Sequence, residues 1–289
     1  MDAITRIERT LSASIDRVDT QDAPPLLAAA MRHAVFPRGA RIRPRLCLAV
    51  AAACGDDQPA ASDAGAAAIE LMHCASLIHD DLPCFDNADT RRGRPSVHRA
   101  FGEPLAVLAG DALIVLSFQA IAWGAADASA RLPALLLIMA GATGLPSGIA
   151  AGQAWECEPS VDLARYQRAK TGALFAAATA LGAAAAGAEP QPWRELGERL
   201  GEAYQVADDI ADVLSGEADL GKPIGQDLAL GRPNAALAMG VDAALRHLEA
   251  LAEAAAGSIP PCPGAAALKA LTLSEARRLL PKDLSQRAA

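Results

Sequence analysis

Two clusters of aspartates are the residues of this sequence most suited to chemistry. The first has a D-D-x4-D pattern and the second lies in the stretch QVADDIAD; their members are Asp80, Asp81 and Asp86, and Asp208, Asp209 and Asp212. Residues 208 and 212 are one helical turn apart, so their carboxylates share a helix face and repel each other unless a cation intervenes. Mg²⁺ commonly binds one or two carboxylates together with water and phosphate oxygens. The two clusters therefore predict a Mg²⁺ site, and the alternative interpretation of either cluster alone is a solvated helix face.

Basic residues accompany both clusters. Arg91 and Arg92 follow the first cluster directly, and Arg43 lies in the stretch GARIRP. Lys170 and Lys222 lie on either side of the second cluster. A guanidinium binds phosphate through two parallel hydrogen bonds, whereas lysine acts as a point charge. Acids for Mg²⁺ together with these cations predict a site for a diphosphate.

The segments that carry the clusters are rich in alanine. Hydrophobic residues make up 52% of the 289, but aromatic residues only 3%. Alanine has the highest helix propensity, whereas strands favour aromatic and β-branched residues. Prolines and glycines divide the chain into helical segments with short joints. These segments lie near 61–81, 105–123, 132–144, 147–157, 162–187, 193–214, 235–256 and 264–280. We therefore predict an all-α fold with a single domain over residues 1–289.

Charge and cysteine usage argue against several classes of protein. The net charge of −8 disfavours sequence-independent binding to nucleic acid. The N-terminal stretch MDAITRIERT has no apolar core of the kind found in secretory signals. The six cysteines form no C-x-x-C pair, which favours free thiols and the cytoplasm over disulfides or a zinc site. The uncharged stretches 132–155 and 171–188 are broken by proline and glycine or only weakly apolar, so we expect buried helices and no membrane span.

The motifs, in their order and spacing, resemble the short-chain trans-prenyl diphosphate synthases, most closely the bacterial geranylgeranyl diphosphate synthases of carotenoid biosynthesis. The matching stretches cover nearly the whole chain: GARIRP, HDDLPCFDNADTRRG, AGD, GQ, KTGALF, QVADDIAD and GKPIGQD. The resemblance implies a helical bundle around a deep central cavity, with the two aspartate clusters facing each other. It also implies a homodimer that condenses isopentenyl diphosphate with dimethylallyl, geranyl or farnesyl diphosphate.

The resemblance further implies roles for individual residues in the reaction. Three Mg²⁺ ions, by resemblance, would be held by Asp80, Asp81, Asp86, Asp208 and Asp212. The allylic diphosphate would contact Arg91, Lys170 and Lys222. Oxygen dipoles directed at the allylic cation would come from Thr171 and Gln205.

Isopentenyl diphosphate would, by the same resemblance, contact Arg43, His73 and Arg92. The family usually has a lysine where this chain has Ala40. One phosphate contact is therefore missing, and Arg38 and Arg41 are the candidates to replace it.

Small residues before the first cluster predict the length of the product. Ser76 and Ala75 lie four and five residues before Asp80, and Met72 lies a turn further. One helical turn is about 5.4 Å, close to the length of an isoprene unit. In the fifteen-carbon synthases of the family an aromatic residue typically blocks this level. We therefore predict the twenty-carbon geranylgeranyl diphosphate, with Met72 at the floor, although small residues also serve close helix packing.

Three alternatives remain. A farnesyl diphosphate synthase would share the family and differ in product length. A class I terpene cyclase usually has N-x3-S/T-x3-E as its second metal motif, whereas DDIAD stands in that place here. A non-catalytic partner subunit tends to lose the aspartates, and here both clusters are intact.

Overall fold

The structure, a computed structural model, describes residues 2–36, 39–160, 162–214 and 234–278. The helices of the first half are α1 (Ala3–Val18), α2 (Pro25–Val35), α3 (Ile42–Cys54), α4 (Pro59–Asp80), α5 (Val97–Phe101) and α6 (Glu103–Gly124). Those of the second half are α7 (Leu132–Thr143), α8 (Ile149–Ala154), α9 (Leu163–Gln167), α10 (Ala173–Ala185), α11 (Arg194–Leu214), α12 (Ala235–Met239), α13 (Val241–Gly257) and α14 (Ala265–Arg278). This architecture confirms the predicted all-α fold.

Shorter elements join the helices. Within the described ranges, 3₁₀ turns span Ala126–Arg131, Trp155–Cys157 and Gln191–Trp193. A π-helical turn spans Arg168–Gly172. Two short strands, β1 (Thr90–Arg91) and β2 (Arg94–Pro95), form an antiparallel hairpin in which Arg91 lies opposite Arg94.

The core is built on two alanine-rich helices, α4 and α10. Helix α4 packs against α3, α6 and α10, and α10 packs in turn against α3, α7 and α11. Every residue of α10 is buried. Alanine combines high helix propensity with a side chain small enough for backbones to approach closely. Helix α4 ends at Asp80, so the core itself positions the first aspartate cluster.

The observed helices depart from the predicted segments at three places. The segment 162–187 is interrupted by the π-helical turn at Arg168–Gly172. The segment 235–256 is divided at Gly240, whose φ of +83° ends one helix and precedes the next. The polar stretch after α4 contains the β1–β2 hairpin, whose two-residue strands are too short to give a periodic signal.

One described helix, α6, is long and apolar enough to cross a membrane by length and composition alone. It packs against α4, α2 and α5, and 44% of its most apolar 18-residue stretch is buried. Core helices of soluble proteins meet the same criterion, so α6 by itself does not indicate a membrane span.

Candidate active site

A cavity of about 1000 Å³ lies between α3, α4, α6, α8, α11, the π-helical turn and the hairpin. The predicted site residues in its wall are Arg43, Met72, His73, Ser76, Asp80, Arg91, Arg92, Lys170, Thr171, Gln205 and Asp208. Apolar side chains complete the wall, among them Leu77, Val107, Ile114, Ile149 and Leu174. The cavity therefore combines charged groups with an apolar surface.

Asp80 and Lys170 form an ion pair at the cavity. Lys170 Nζ lies 3.1 Å from Asp80 Oδ1 and 2.6 Å from Glu156 Oε1. Burial raises the pKa of Asp80, against the effect of Lys170, and the charge of Asp86 raises it further. Burial also opposes the charge of Lys170, but Asp80, Tyr166 and Glu156 together raise its pKa to about 12. The lysine is therefore a permanent cation held between two carboxylates.

The π-helical turn presents Lys170 and Thr171 to the cavity. A Cβ atom on Gly152 of α8 would lie 2.5 Å from the backbone nitrogen of Lys170, so only glycine permits this approach. Single π-turns widen a helix locally and often occur at functional sites. Glu156, which holds Lys170, was not among the predicted residues. Its place three residues after Gln153, in a 3₁₀ turn, gave no signal in the sequence.

Asp81 faces away from the cavity and holds Arg91. Its carboxylate is buried, and it accepts from Arg91 Nε at 3.0 and 3.3 Å and from Arg91 Nη2. Burial raises the pKa of Asp81, and the partnership with Arg91 lowers it only in part. The structure thus does not bring Asp81 to the cavity wall with Asp80, and its carboxylate contacts Arg91 instead. Successive side chains of a helix point about 100° apart, which separates the two neighbours.

The second cluster is divided in the same way. Asp208 lines the cavity, whereas Asp209 is buried behind it. Asp209 Oδ1 accepts from Gln205 Nε2 at 2.9 Å, and Oδ2 accepts from the backbone nitrogen of Ala235 at 2.7 Å. Gln205 Oε1 in turn accepts from Thr171 Oγ1 at 3.2 Å. Asp209 therefore orients the Gln205 amide so that its oxygen lies toward Thr171.

The carboxylates at the cavity fit Mg²⁺ as partial ligands. Among the described residues no group of three His, Cys, Asp or Glu side chains is placed to hold a metal by itself. Asp86 and Asp212 are partly buried and do not line the cavity, whereas Asp80 and Asp208 do. Mg²⁺ commonly takes one or two carboxylates and completes its octahedron with water and substrate phosphates. The donor set therefore suits a metal that arrives with a diphosphate.

Arg43, His73 and Arg92 form a cationic pocket in the cavity wall. Arg43 Nη1 lies 3.4 Å from His73 Nε2, and its guanidinium stacks 4.4 Å above the Phe175 ring. Burial, with a contribution from Arg92, lowers the pKa of Arg43. Burial, then Arg43 and Arg92, lowers the pKa of His73 well below its usual value, so this histidine is neutral. Arg43 Nε is buried with no hydrogen-bond partner within the described ranges. A bound anion would stabilise this pocket.

The remaining predicted residues divide between the wall and the core. Ser76 and Met72 line the cavity, but Ala75 is fully buried in the hydrophobic core and does not. Lys222 and Arg38 lie outside the described residues. Arg41 does not supply the contact missing at Ala40. Its guanidinium is committed to Glu8, Glu70 and the carbonyl of Val35.

Comparisons with known proteins point to one family. Residues 24–259 match the sequence model of the family described as polyprenyl synthetase. The chain is 54% identical to a geranylgeranyl diphosphate synthase of Cereibacter sphaeroides, with 98% of each chain covered. It is 39% identical to a farnesyl diphosphate synthase of Geobacillus stearothermophilus, with 84% of this chain and 87% of that one covered.

Solved structures are similar along most of the chain. A geranyltransferase from Legionella pneumophila has a TM-score of 0.79 and 28% identity, covering 96% of this chain and 94% of its own. A geranyltransferase from Helicobacter pylori, complexed with magnesium and isoprenyl diphosphate, has a TM-score of 0.78 and 29% identity, covering 94% and 95%.

Proposed function

The chain belongs to the polyprenyl synthetase family, and we propose that it is a Mg²⁺-dependent trans-prenyltransferase whose main product is geranylgeranyl diphosphate. The observation that carries this proposal is the pairing of two groups in one cavity. Arg43, Arg92 and neutral His73 form a pocket suited to an anion, while Asp80 and Asp208 offer oxygen ligands to a cation. Two diphosphates, one of them with metal, fit such a site chemically.

The first step is ionisation of the allylic diphosphate. Lys170 and Arg91 both line the cavity and would bind the departing diphosphate as fixed positive charges. Mg²⁺ held by Asp80, Asp208 and the phosphate oxygens would neutralise further charge on the leaving group. The oxygens of Thr171 and Gln205 would face the allylic cation. The 3.2 Å bond between the two fixes their orientation before substrate arrives.

The second step joins the two substrates. The double bond of isopentenyl diphosphate, held by Arg43 and Arg92, attacks the allylic carbon, and the new cation loses a proton to the departed diphosphate. The chain itself needs no nucleophile for this reaction. The apolar side chains of the wall, such as Leu77 and Leu174, would exclude the water that quenches a carbocation.

Two observations support the proposed product length: the residues of the cavity wall and the identity to relatives. Ser76, one turn before Asp80, and Met72, one turn further, line the cavity, and neither side chain is aromatic. The geranylgeranyl diphosphate synthase of Cereibacter sphaeroides is more similar to this chain, at 54%, than the farnesyl diphosphate synthase of Geobacillus stearothermophilus, at 39%. Both observations favour twenty carbons over fifteen.

Several features of the whole protein are part of the proposal. A single domain over residues 1–289 agrees with one family match across 24–259. Three Mg²⁺ ions per site, with Asp86 and Asp212 as ligands in addition to Asp80 and Asp208, also belong to the proposal. A cytoplasmic location agrees with six free cysteines.

We also propose a homodimer that covers exposed apolar side chains of α6. Leu108 and Val115 are 51% and 56% exposed. Large apolar patches seldom stay exposed on soluble monomers. Light scattering at micromolar concentration would give twice the chain mass, and a monomer mass would contradict the proposal.

The test is to incubate the purified protein with isopentenyl diphosphate, Mg²⁺ and each allylic starter in turn. Dimethylallyl, geranyl and farnesyl diphosphate should all be extended to twenty carbons, as identified by mass spectrometry after dephosphorylation. A product that stops at fifteen carbons would favour farnesyl diphosphate synthesis. A cyclic hydrocarbon would favour a terpene cyclase. The absence of any product would favour a non-catalytic subunit.

A further inference from the structure

Glu70 is a carboxylate in the cavity wall that the proposed mechanism does not use. It lies on α4 and is only 2% exposed. Its Oε1 accepts a hydrogen bond from Arg41 Nη1 at 2.6 Å and lies 3.7 Å from Arg92 Nη2. A buried carboxylate is costly unless it is paired. One oxygen of Glu70 therefore fixes two guanidinium groups relative to each other.

Arg41 extends this contact to the N-terminal helix. Its side chain is fully buried, and Nε donates to Glu8 Oε1 of α1 at 2.9 Å. Nη2 donates to the carbonyl oxygen of Val35 at 2.8 Å. Arg41 also has a φ of +51°, which residues other than glycine rarely adopt. The contacts of its side chain, rather than local preference, therefore set the backbone just before α3.

The same stretch of backbone confines Arg92. A Cβ atom on Gly39 would lie 2.8 Å from the guanidinium carbon of Arg92, so the two groups are in direct contact. Gly39 is two residues before Arg41, and both line the cavity. The guanidinium of Arg92 thus lies between Gly39 and Glu70. A shift of either would move it.

We propose that Glu8, Arg41 and Glu70 form a relay that positions Arg92 for the diphosphate of isopentenyl diphosphate. The inference rests on the proposed function for the identity of that ligand. Bidentate binding of phosphate depends closely on the orientation of the guanidinium. Because Ala40 offers no charge, Arg92 carries a larger share of this binding, and its orientation matters more. Through the relay, helix α1 contributes to a site that it does not line.

Glu8→Gln tests the relay with little change in shape. The variant keeps the side-chain length and one carbonyl acceptor but removes the charge that faces Arg41. Asp63→Asn is the matched control, since it removes another ion pair between α1 and α4, from Arg6 Nε to Asp63 Oδ1 at 2.7 Å. This second pair has no contact with Arg41 among the hydrogen bonds of the described residues. Thermal unfolding of both variants measures what each pair contributes to stability.

The readout is the affinity for each substrate separately. Isopentenyl diphosphate is titrated calorimetrically into protein saturated with Mg²⁺ and a thiolo analogue of farnesyl diphosphate, which does not ionise readily. Steady-state kinetics give KM for both substrates and kcat. For Glu8→Gln we expect Kd and KM for isopentenyl diphosphate to rise about threefold to tenfold, in the lower half of the range of couplings within one ion-pair network. The KM for farnesyl diphosphate should stay within about twofold, as should every constant of Asp63→Asn.

Glu70→Gln should raise Kd and KM for isopentenyl diphosphate further, because it removes the negative charge that faces both Arg41 and Arg92. If that variant does not fold, Glu8→Gln decides the question alone. Unchanged affinity for isopentenyl diphosphate in Glu8→Gln would overturn the proposal, as would an equal change in Asp63→Asn or in the KM for farnesyl diphosphate. A wild type that forms no prenyl product would overturn the proposed function as well, and that result is distinguishable because it precedes any comparison of variants.

Discussion

Replacing Ser76 by phenylalanine should shorten the main product from twenty carbons to fifteen. Ser76 lines the cavity, and Met72, also in the wall, lies four residues before it on α4. Four residues span about 6 Å of helix, close to one isoprene unit. A phenyl ring at Ser76 would raise the floor from the level of Met72 by about that length. The cavity would then lack room for the last isoprene unit.

Ala75→Phe is the control, because Ala75 is adjacent to Ser76 on α4 but does not line the cavity. Ala75 is fully buried in the core, so the larger side chain should overpack it and cost at least about 1–3 kcal/mol of stability. The product should stay at twenty carbons. Ser76→Phe loses only the hydrogen bond from Ser76 Oγ to the carbonyl of His73, at 2.8 Å, worth about 0.5–1.5 kcal/mol. It should therefore remain folded and active.

The assay extracts the products of wild type and both variants, removes the diphosphate and measures the fractions of fifteen and twenty carbons. The rate of the first condensation, from dimethylallyl diphosphate, checks that ionisation is intact. A Ser76→Phe variant that still makes mainly twenty carbons would refute this assignment of the cavity floor. So would a folded Ala75→Phe variant that makes fifteen.

Four further substitutions separate roles inside the site. Asp80→Ala should slow turnover by about 10³-fold or more with little loss of stability, whereas Asp81→Ala should lower the free energy of unfolding by about 1–3 kcal/mol by removing the partner of a half-buried arginine. Equal losses of stability in the two variants would contradict this division. Arg92→Ala should raise KM for isopentenyl diphosphate by an amount that corresponds to about 1.5–3 kcal/mol, and an unchanged KM would count against the assignment. His73 charges near pH 6.5 when unfolded but at lower pH when folded, so wild type should lose stability relative to His73→Gln as pH falls below about 6.5. Parallel pH profiles of melting temperature would contradict that prediction.

The sequence predicted the helices well, because alanine and the proline and glycine breakers mark them without reference to the rest of the chain. It did not predict which face of a helix lines the cavity. Asp80 and Asp81 are adjacent, and so are Ala75 and Ser76, yet in each pair one residue lines the cavity and the other does not. In an alanine-rich helix that is buried nearly all round, no periodic pattern distinguishes such neighbours.

Contacts between distant parts of the chain were also beyond sequence reasoning. Arg41 meets Glu8 and Glu70 across separations of 33 and 29 residues, so its pattern in GARIRP resembled a phosphate contact rather than a buried ion pair. Glu156 meets Lys170 only because a 3₁₀ turn and a π-helical turn bring them together. Neither turn has a sequence signature of its own.

The most direct test of the central claim is the metal dependence of product formation from farnesyl and isopentenyl diphosphates. With Mg²⁺, the protein should form geranylgeranyl diphosphate. In excess EDTA, product should fall to background and return when Mg²⁺ exceeds the chelator, because Asp80 and Asp208 would repel a diphosphate that lacks its metal. Full turnover in EDTA, or failure to extend farnesyl diphosphate with Mg²⁺ present, would contradict the account.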